Sequence, residues 1–437
     1  MQFEFSESRG AQRPLNRFLP ASCALIAVSL LLMPQARAAD PRKGTGSSES
    51  DLPAPGYRIY AGSTHAHTSN TWSHGDHFVN AKKEAGESKE SLTVSADGVQ
   101  TPPKGKAVKP DWEKHQGAPA QHFAWAKTNG YDFYAVTDHS QEATFHPVSP
   151  TNAAWIASKR DAAERSDANF VAISGYEHSE NNGPGGKGHL NVFNSAEYVN
   201  ALAPGIDLKH LYEWLKTAKP NNDGPVVASF NHPGPKQYND WADRDSEITD
   251  IITLLEVINS NKGIHYQGFV SALDHGWKVS PVCGNDNHGF YGIAHQTSRT
   301  FVLAANKSKA GVLDAMKHRR TYASLDNDIQ CRYTVNGAVM GSTLQVTNEY
   351  GFDISVSDPD LDKPKNKITK IDIVKDGGAV VQTFTGEPAF SVRWKPNVHD
   401  STNKYFFVRV WNAGGGDAPG ADPAKPIAWL APVWTGR

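Results

Sequence analysis

Cysteine is scarce in this chain of 437 residues, which contains only three. One of them, Cys23, falls in an N-terminal apolar run, which leaves Cys283 and Cys331. A disulfide between these two would be permitted in an oxidising compartment, but their separation in sequence does not show whether they lie close together. Because Cys283 ends an apolar run typical of a buried strand, a small core residue is the simpler expectation.

The chain also lacks an excess of charge of one sign. Its 44 Lys and Arg residues and 46 Asp and Glu residues leave a formal net charge of -2 at pH 7. Without a basic field, binding to nucleic acid or to an acidic membrane is not favoured, whereas a small phosphorylated substrate is compatible with this charge. We therefore expect a small-molecule substrate and no nucleic-acid partner, and the sequence does not indicate an oligomeric state.

Long apolar runs are lacking beyond the N-terminus. There, Arg13 and Arg17 precede the apolar residues 18–33, a run of about 16 residues that is shorter than the ~20 needed to span a membrane. The small-x-small pattern Ala36-Arg37-Ala38 follows and predicts cleavage after Ala38. We expect residues 1–38 to be a signal peptide and the mature protein to be periplasmic or secreted, without a stable membrane anchor.

Glycine and proline, in contrast, are plentiful, with 37 and 27 residues, which indicates many turns and long loops. Residues 39–56 are polar and predict a flexible linker. Residues 57–322 alternate short apolar runs with helical segments, interrupted by a hydrophilic insertion at 76–118 that is either a lid or disordered. From 325 to 437, short alternating strands separated by turns predict an antiparallel β-sandwich.

The alternation within residues 57–322 predicts an α/β fold with a parallel sheet, either open or closed into a barrel. The position of the polar residues decides between the two. In an open sheet, ligands gather at one switch point, whereas here at least five strands end in polar residues, as expected for the carboxyl-end face of a barrel. We therefore expect a barrel.

Metal-ligand residue types recur where these strands end. A single His-x-His is weak evidence, but several imidazoles and carboxylates at strand ends together predict a multinuclear metal site. Neutral imidazole suits zinc, iron and manganese, and a carboxylate can bridge two ions. The residues concerned are His65 and His67, Asp138 and His139, Glu177 and His178, His189, His232, Glu256, and Asp286 with His288.

The order of these motifs resembles the PHP (polymerase and histidinol phosphatase) superfamily of metallohydrolases, and most of all its exported carbaryl-hydrolase-like branch. The resemblance covers roughly residues 57–322. It implies a distorted (β/α)7 barrel with two or three divalent ions, here followed by the β-sandwich. The matching stretches are STHAHTS at 63–69, AVTDH at 135–139, GYE at 175–177, GH at 188–189, NHPG at 231–234 and GNDNH at 284–288.

The resemblance also implies how the ligands divide among the ions, which would be zinc, manganese or iron. Family members often carry an acid shortly before the first histidine pair, where this chain has Ser63 and Thr64, and a further third-site ligand is left open between His74, Asp76 and His77. The implied sets are His65, His67, Glu177 and Asp286 for one ion; Glu177 as a bridge with His189 and His232 for a second; and His139 with His288 for a third.

Four residues are expected to support the ions or the substrate. Asp138 would accept a hydrogen bond from the second ring nitrogen of His139, as is usual for ligating imidazoles, or else would cap a turn. Glu256 lies in an apolar strand, so it should face the ions or pair with a cation, because a lone buried carboxylate is costly. Lys187 and Arg299 could clamp an anionic substrate, although solvated side chains are the simpler expectation.

These features together predict an enzyme, a metal-dependent hydrolase that cleaves a phosphoester. A divalent ion lowers the pKa of its water from about 16 to about 7, which yields a metal-bound hydroxide near neutral pH. Asp286 would orient this hydroxide, and His288 or His139 would protonate the leaving group.

Two other functions stay open. A carboxylester or carbamate (carbaryl-type) hydrolase would need an apolar pocket, and a non-catalytic metal- or ligand-binding surface protein would use the sandwich to bind a glycan or a partner. The aromatic residues available for an apolar pocket, which could equally be core residues, are Trp72, Trp125, Tyr176, Trp241 and Tyr291.

Overall fold

The computed structural model describes residues 51–71, 93–101, 116–180, 185–418 and 420–436. The predicted signal peptide at 1–38 lies outside these ranges, as do much of the predicted linker, parts of the 76–118 insertion, and Trp72, His74, Asp76 and His77. No helix within the described ranges is long and apolar enough to cross a membrane.

The part of the chain up to residue 324 alternates strands with helices, as the apolar runs predict. The strands are β1 (Arg58–Ser63), β2 (Thr93–Val94), β3 (Gln100–Thr101), β4 (Phe133–His139), β5 (Val171–Ser179), β6 (His189–Phe193), β7 (Val227–Asn231), β8 (Ile252–Asn259), β9 (Gly263–Ile264), β10 (Ser280–Gly284), β11 (Arg299–Ala304) and β12 (Thr321–Ser324). The helices are α1 (Pro119–Thr128), α2 (Ala153–Arg165), α3 (Leu208–Thr217), α4 (Gln237–Asp240), α5 (Ser246–Thr249), α6 (Tyr266–Asp274), α7 (Phe290–Ala294) and α8 (Lys309–Lys317).

Capping residues set the starts of the longer helices. The side chain of Asn152 accepts hydrogen bonds from two backbone N–H groups at the start of α2, and Asp207 and Ser308 cap α3 and α8 in the same way. Such caps satisfy N–H groups that have no partner inside the helix. Helix α3 therefore begins directly after its capping residue, Asp207, and ends at Thr217.

Most of these strands join one large sheet of mixed orientation, which runs in the order β10–β8–β7–β6–β5–β4–β1–β11–β12. The β1/β4, β4/β5, β7/β8 and β8/β10 pairs are parallel, but β6 is antiparallel to both its neighbours and β11 is antiparallel to β1. The prediction of a parallel sheet is therefore wrong for β6 and β11. For β6 the reason is the short link at 180–188, since a parallel crossover needs about a dozen residues or more.

The large sheet curls around an apolar core, although a closed barrel is not confirmed. One buried cluster takes side chains from β1, β4, β5, β6, β7, β8, β10 and β11, together with helix α8. The edge strand β10 contacts β11 through the Thr300 hydroxyl, which hydrogen-bonds to the backbone N–H and carbonyl oxygen of Cys283. A single parallel bridge also joins Ala66, after β1, to Asn287, after β10. In the described ranges no hydrogen-bonded ladder connects β10 to β11 or β12.

Replacing Thr300 by valine is expected to weaken the junction between β10 and β11. The Thr300 hydroxyl accepts from the N–H of Cys283 at 2.6 Å and donates to its carbonyl oxygen at 2.7 Å, in a fully buried position. Valine keeps the shape but leaves two buried backbone groups without this partner, which costs about 1–3 kcal/mol. Thermal melting should therefore shift down by a few degrees in Thr300→Val and stay unchanged in Thr385→Val, which alters an exposed threonine. Equal melting temperatures would show that this junction does not depend on the hydroxyl.

The C-terminal strands appear where the alternating pattern predicts them, but a separate sandwich is not shown. They are β13 (Gln330–Val335), β14 (Ala338–Val339), β15 (Thr343–Leu344), β16 (Tyr350–Ser357), β17 (Ile368–Lys375), β18 (Ala379–Ala389), β19 (Ser391–Trp394), β20 (Asn397–Val398), β21 (Tyr405–Asn412), β22 (Ala428–Leu430) and β23 (Val433–Thr435). Strand β12 pairs with β22, so the large sheet continues through β21, β17 and β18, and a five-stranded sheet contains β13, β14, β16, β19 and β20. The two sheets share one apolar core, and the predicted domain boundary near 322–325 stays a prediction.

The two cysteines are free and buried. Cys283 belongs to the apolar core beside β8 and β10, whereas Cys331 belongs to the core between the two sheets. The expectation of a small core residue at Cys283 is thus confirmed.

The described part of the 76–118 insertion is a small hairpin packed onto the protein. Strands β2 and β3 pair, and the N–H of Gln100 donates to the carbonyl oxygen of Gln141 at 2.8 Å. Gly98 has a φ of +79°, and a Cβ there would lie 2.1 Å from the carbonyl oxygen of Leu202. This close approach requires glycine and holds the hairpin beside the residues that follow β4.

Candidate metal centre

The inner face of the curled sheet changes from apolar to polar along its strands. On β5, Val171 and Ile173 enter the apolar core, and Glu177, which shares their face by strand alternation, lies at the carboxyl end. Strand β4 likewise ends at His139, and the antiparallel strand β6 begins at His189. Polar side chains therefore gather at one end of the curled sheet, next to the apolar core that fills the rest of its inner face.

Strand register places Glu177 at the centre of this polar end. In the ladders, Glu177 lies opposite His139 on β4 and Asn191 on β6. Its Oε1 accepts from the Asn231 side-chain amide at 2.9 Å and its Oε2 from the Ser179 hydroxyl at 2.9 Å. The carboxylate is 1% exposed, so the histidines and these two donors replace water around it.

Five histidines surround this one carboxylate. Each has a ring nitrogen within 3.5 Å of a Glu177 oxygen, and a buried carboxylate with so many imidazoles is an arrangement suited to bridging metal ions. The distances are 2.9 Å for His139 Nε2, 3.1 Å for His189 Nδ1, 3.4 Å for His65 Nε2, 3.5 Å for His67 Nε2 and 3.5 Å for His232 Nε2.

Asp286 closes the cluster from β10. Its Oδ1 lies 3.0 Å from His67 Nε2 and 3.5 Å from His65 Nε2, while its Oδ2 lies 3.9 Å from His232 Nε2. Backbone contacts hold the two segments together, because the N–H of Asp286 donates to the carbonyl oxygen of His65 at 3.0 Å. The side chains after β1 and after β10 therefore face the same point.

The donor atoms of the cluster fit metal ions. His65 Nδ1 lies 2.7 Å from Glu256 Oε1, a contact that turns the other ring nitrogen, Nε2, toward the cluster. That Nε2 lies only 3.1 Å from His67 Nε2, and two imidazole nitrogens aimed at one point are what a shared cation requires. The sets whose ligand atoms lie within 4.8 Å of one another are His65, His67 and Asp286; His65, Glu177 and His232; and His67, His139 and Glu177.

These sets differ from the division that the family resemblance implies: His65 joins Glu177 and His232, and His189 belongs to none of the three sets. His139 groups with His67 and Glu177 instead of standing apart with His288. His288 stacks on His67, with ring centroids 4.4 Å apart. The eight predicted ligands are thus brought together, while their roles as metal ligands stay a prediction.

Charge compensation within the cluster is strong. Burial alone would lower the pKa of His139, but its contacts with Glu142 and Glu177 outweigh burial and raise the pKa to about 10. Burial would raise the pKa of Glu177, but the histidines around it, His65 and His189 first, hold the pKa well below its usual range. The Glu177 carboxylate is therefore ionised at neutral pH, as a cation ligand must be.

Two buried carboxylates orient the histidines, and the sequence predicts one of them. Glu256 accepts from His65 Nδ1 at 2.7 Å and from the backbone N–H of His232 at 3.0 Å, which is the supporting position expected for it. His139 Nδ1 faces Glu142 Oε1 at 3.5 Å. Sequence reasoning missed Glu142, and its spacing of three residues from His139 is the only signal that could have found it.

Asp138 lies where it can cap a turn, which is the second of the two roles considered for it. Its carboxylate accepts from the Thr68 N–H at 2.6 Å, the Thr68 hydroxyl at 2.7 Å and the Thr71 hydroxyl at 2.9 Å. The Thr71 hydroxyl in turn accepts from the N–H of His139 at 3.0 Å. Strand alternation explains this, because adjacent residues point to opposite faces of β4. Asp138 therefore anchors the segment after β1 that carries the first two histidines.

The cluster opens on one side. Side-chain exposure is 26% for Asp286, 15% for His189 and 10% for His232, whereas His65 and His67 are fully buried. His232 and Asp286 also have positive φ values of 31° and 47°, in a region that such residues seldom adopt. This strained backbone aims both side chains into the cluster from the open side.

Residues near the open side include some that sequence reasoning missed. His265 lies between the two-residue strand β9 and helix α6, and its ring is 6.2 Å from that of His232. The Asn259 side-chain amide donates to Asp286 Oδ2 at 3.1 Å. His178 points to the other face of β5, where its Nε2 lies 3.3 Å from Glu180.

The two predicted cations lie outside the cluster. Arg299 donates to the carbonyl oxygens of Gln296 and Ser298 and lies over the ring of Tyr131 at 3.8 Å, so its contacts hold the end of the sheet. Lys187 pairs with Glu180 at 2.9 Å. It borders a cavity of about 410 Å³ whose other lining residues include Glu180, so it lies closer to a binding space than Arg299 does.

The candidate aromatic residues differ in their exposure to solvent. Tyr176 and Trp241 are buried in the core beside β5 to β8. Trp125 packs partly buried against another apolar cluster. Tyr291, three residues after His288, is 73% exposed, and its ring lies 4.2 Å from that of His295.

Fold and site together define a mixed α/β protein with a buried histidine–carboxylate cluster at the polar end of a curled sheet. No family model and no curated protein sequence matches this chain. Its structure is similar to that of a two-domain protein from Bacteroides vulgatus ATCC 8482, described as containing a predicted PHP-like metal-dependent phosphoesterase, at 16% identity and a TM-score of 0.40 over 86% of this chain and 96% of the other. It is also similar to a lesion-specific endonuclease from Pyrococcus furiosus, at 10% identity and a TM-score of 0.31 over 71% of this chain and 62% of the other.

Proposed function

We propose that this protein is a metal-dependent hydrolase of the PHP superfamily that cleaves phosphoesters of small molecules. The observation that carries the proposal is the position of Glu177, whose buried carboxylate lies within 3.5 Å of nitrogens from five histidines. A structural cluster would not need so many imidazoles around one acid, since the Asn231 amide and the Ser179 hydroxyl already donate one hydrogen bond to each carboxylate oxygen.

Two or three divalent ions would be held by the three donor sets. Any two of these sets have one residue in common, which is His65, His67 or Glu177. Such ions, when bound, activate water and stabilise charge on the group under attack. Glu256 orients the ring of His65 through Nδ1, and Glu142 faces Nδ1 of His139 in the same way. Both carboxylates therefore preset the ligand nitrogens before any ion arrives.

The open side of the cluster is where the substrate would bind. Asp286 faces it and can accept a proton from the attacking water. His139 has both ring nitrogens engaged, Nε2 with Glu177 and Nδ1 with Glu142. His288 is only half-buried and stacks on His67, so between the two it is better placed to donate a proton to the leaving oxygen.

The experiment that tests this function is turnover by the purified protein after reloading with zinc, manganese or iron. Three substrates are compared: an aryl phosphodiester, an aryl phosphomonoester and an aryl N-methylcarbamate. We expect about two or three equivalents of bound metal by elemental analysis and hydrolysis of at least one phosphoester. Absence of metal, together with absence of turnover on every substrate after reloading, would contradict the hydrolase and favour the non-catalytic binding protein.

A carboxylester or carbamate hydrolase, as in the carbaryl-hydrolase-like branch, is the second candidate. One observation favours it: the residues after His288 present Phe290 and Tyr291 to solvent, with 45% and 73% exposure. Exposed aromatic rings two and three residues after the predicted ligand His288 would suit an apolar ester or an aryl carbamate. Faster hydrolysis of the carbamate than of either phosphoester would choose this function.

Export to the periplasm or the medium is also part of the proposal. It is supported by Arg13 and Arg17, the apolar run at 18–33 and the Ala36-Arg37-Ala38 pattern. A protein exported in this way would act on substrates outside the cytoplasm.

A further inference from the structure

A second group of acidic residues lies where the two sheets join. Asp326 and Asp328 stand in the turn between β12 and β13, and Asp358 directly follows β16. One carboxylate oxygen of each lies within 4.8 Å of the others. Asp326 and Asp358 are almost fully buried, and Asp328 is half-buried. Three carboxylates are thus collected away from bulk water by two separate turns.

The turns hold one oxygen of each buried aspartate and leave the other unsatisfied. Asp326 Oδ1 accepts two backbone N–H groups, that of Asp328 at 3.1 Å being one. Asp358 Oδ1 accepts the N–H of Asp360 at 2.9 Å. Among the described residues, no hydrogen-bond donor reaches Asp326 Oδ2, Asp328 Oδ1 or Asp358 Oδ2, although these oxygens are buried.

A neutral side chain at the same place gives an independent indication of a ligand. Asn366 is fully buried, and its Nδ2 donates to Asp358 Oδ1 at 3.2 Å, which puts the amide group at the cluster. Its Oδ1 has no hydrogen-bond partner within the described ranges. A buried amide oxygen without a donor is unfavourable unless something else, such as a cation, coordinates it.

Neighbouring charges do not neutralise the cluster. Asp360 pairs with Lys363 at 2.5 Å and Asp417 pairs with Lys365 at 3.2 Å, so the nearest lysines are taken by other acids. In the part of the chain that the structure describes, no Lys, Arg or His forms an ion pair with Asp326, Asp328 or Asp358. The carboxylates must therefore take up protons or a cation.

Mutual repulsion is visible in the acidity of these groups. Burial, followed by the neighbouring charges of Asp358 and Asp360, raises the pKa of Asp328 to about 6. Burial and the charge of Asp417 raise the pKa of Asp326 well above its usual range. A bound divalent cation would relieve this repulsion at neutral pH.

We propose that Asp326, Asp328, Asp358 and Asn366 bind one calcium ion, which ties the β12–β13 turn to the end of β16. All the available donor atoms are oxygens, which hard cations prefer, whereas zinc favours nitrogen and sulfur. Calcium accepts six to eight oxygens at about 2.4 Å in a flexible arrangement, and the three carboxylate oxygens lie close enough together to reach one such ion. Magnesium demands about 2.1 Å and a stricter octahedron. The site shares no residue with the metal centre and does not depend on the proposed hydrolase.

The first test is calorimetric titration of calcium chloride into the full chain after chelator treatment and removal of the chelator. We expect one equivalent to bind with a dissociation constant between about 10⁻⁶ and 10⁻³ M. Because calcium would bind the folded state only, saturating calcium should also raise the melting temperature by about 3–6 °C.

Matched variants assign the site. Asp326→Asn and Asp328→Asn should each weaken calcium binding by more than about ten-fold, since each removes a charged ligand. Without calcium, Asp326→Asn should melt no lower than the unmodified protein, because it removes repulsion. If Asp326→Asn does not fold, the variant Asp328→Asn, at the half-buried position, tests the site alone. Asp362→Asn, an exposed aspartate of the same loop, and the double variant His65→Ala with His67→Ala should bind calcium as before.

Three results would overturn the proposal. The first is no heat and no change in melting temperature at calcium concentrations far above the expected range. The second is calcium binding that survives in the aspartate variants but disappears in the histidine variant, which would assign the ion to the metal centre. The third is magnesium binding as tightly as calcium, which would remove the calcium specificity.

Discussion

Replacing His65 and His67 together by alanine is expected to abolish metal binding and hydrolysis. The two Nε2 atoms lie 3.1 Å apart. Each of the three donor sets contains His65, His67 or both, so the loss of the two histidines leaves no complete set. Loss of a single hydrogen-bond donor to a transition state already costs roughly 10²–10³ in rate, and loss of the ions should exceed this, so we expect kcat/KM to fall more than about a thousand-fold. Elemental analysis and turnover of the best phosphoester measure the two effects.

Controls separate the loss of ligands from the loss of the fold. His399→Ala alters an exposed histidine in the C-terminal region and should change neither metal content nor turnover. If the double variant does not fold, Asp286→Asn removes the charge of a partly exposed cluster residue while keeping the shape of its side chain. Hydrolysis retained at the original rate in a folded variant would refute the assignment of this cluster as the catalytic site.

Local sequence patterns predict the elements of this fold well because strands and helices depend on nearby residues. The short apolar runs and helical segments expected within 57–322 appear as alternating strands and helices, β6 and β8 among the strands. The gathering of histidines and acids at one end of the sheet also follows, because each motif lies beside a strand end. Their close approach to Glu177 agrees with the resemblance on which the prediction rests.

Long-range pairing could not be predicted in the same way. The strands of 368–375 and 405–412 have the alternation of an independent sandwich, yet they extend the large sheet through β12 and β22. Strand alternation fixes which face a side chain occupies but not which strand lies beside it. Glu142 and Asn366 were missed for a related reason, since a turn residue shows its partner only in three dimensions.

Replacing Gly284 by alanine is expected to disrupt the metal centre without altering any predicted ligand. A Cβ at this position would lie 1.9 Å from Glu256 Oε1 and 2.7 Å from the Cβ of His65, so both side chains would have to move. Glu256 could then no longer hold His65 Nδ1 at 2.7 Å. Loss of such a supporting contact typically costs about 10–100-fold in metal affinity or activity. Overpacking of the buried strand should also lower stability by about 1–3 kcal/mol, measured by thermal melting.

A glycine on another strand is the matched control for this effect. Gly351 lies in β16, and a Cβ there would approach its neighbours no closer than 3.4 Å, an ordinary contact, so Gly351→Ala should leave turnover and melting unchanged. Glu256→Gln, which keeps the shape but removes the charge, should lower metal affinity in the same direction as Gly284→Ala. If Gly284→Ala kept full metal content and turnover, the buried pair of Glu256 and His65 would not be what positions the ligand, because this methyl group cannot fit beside it.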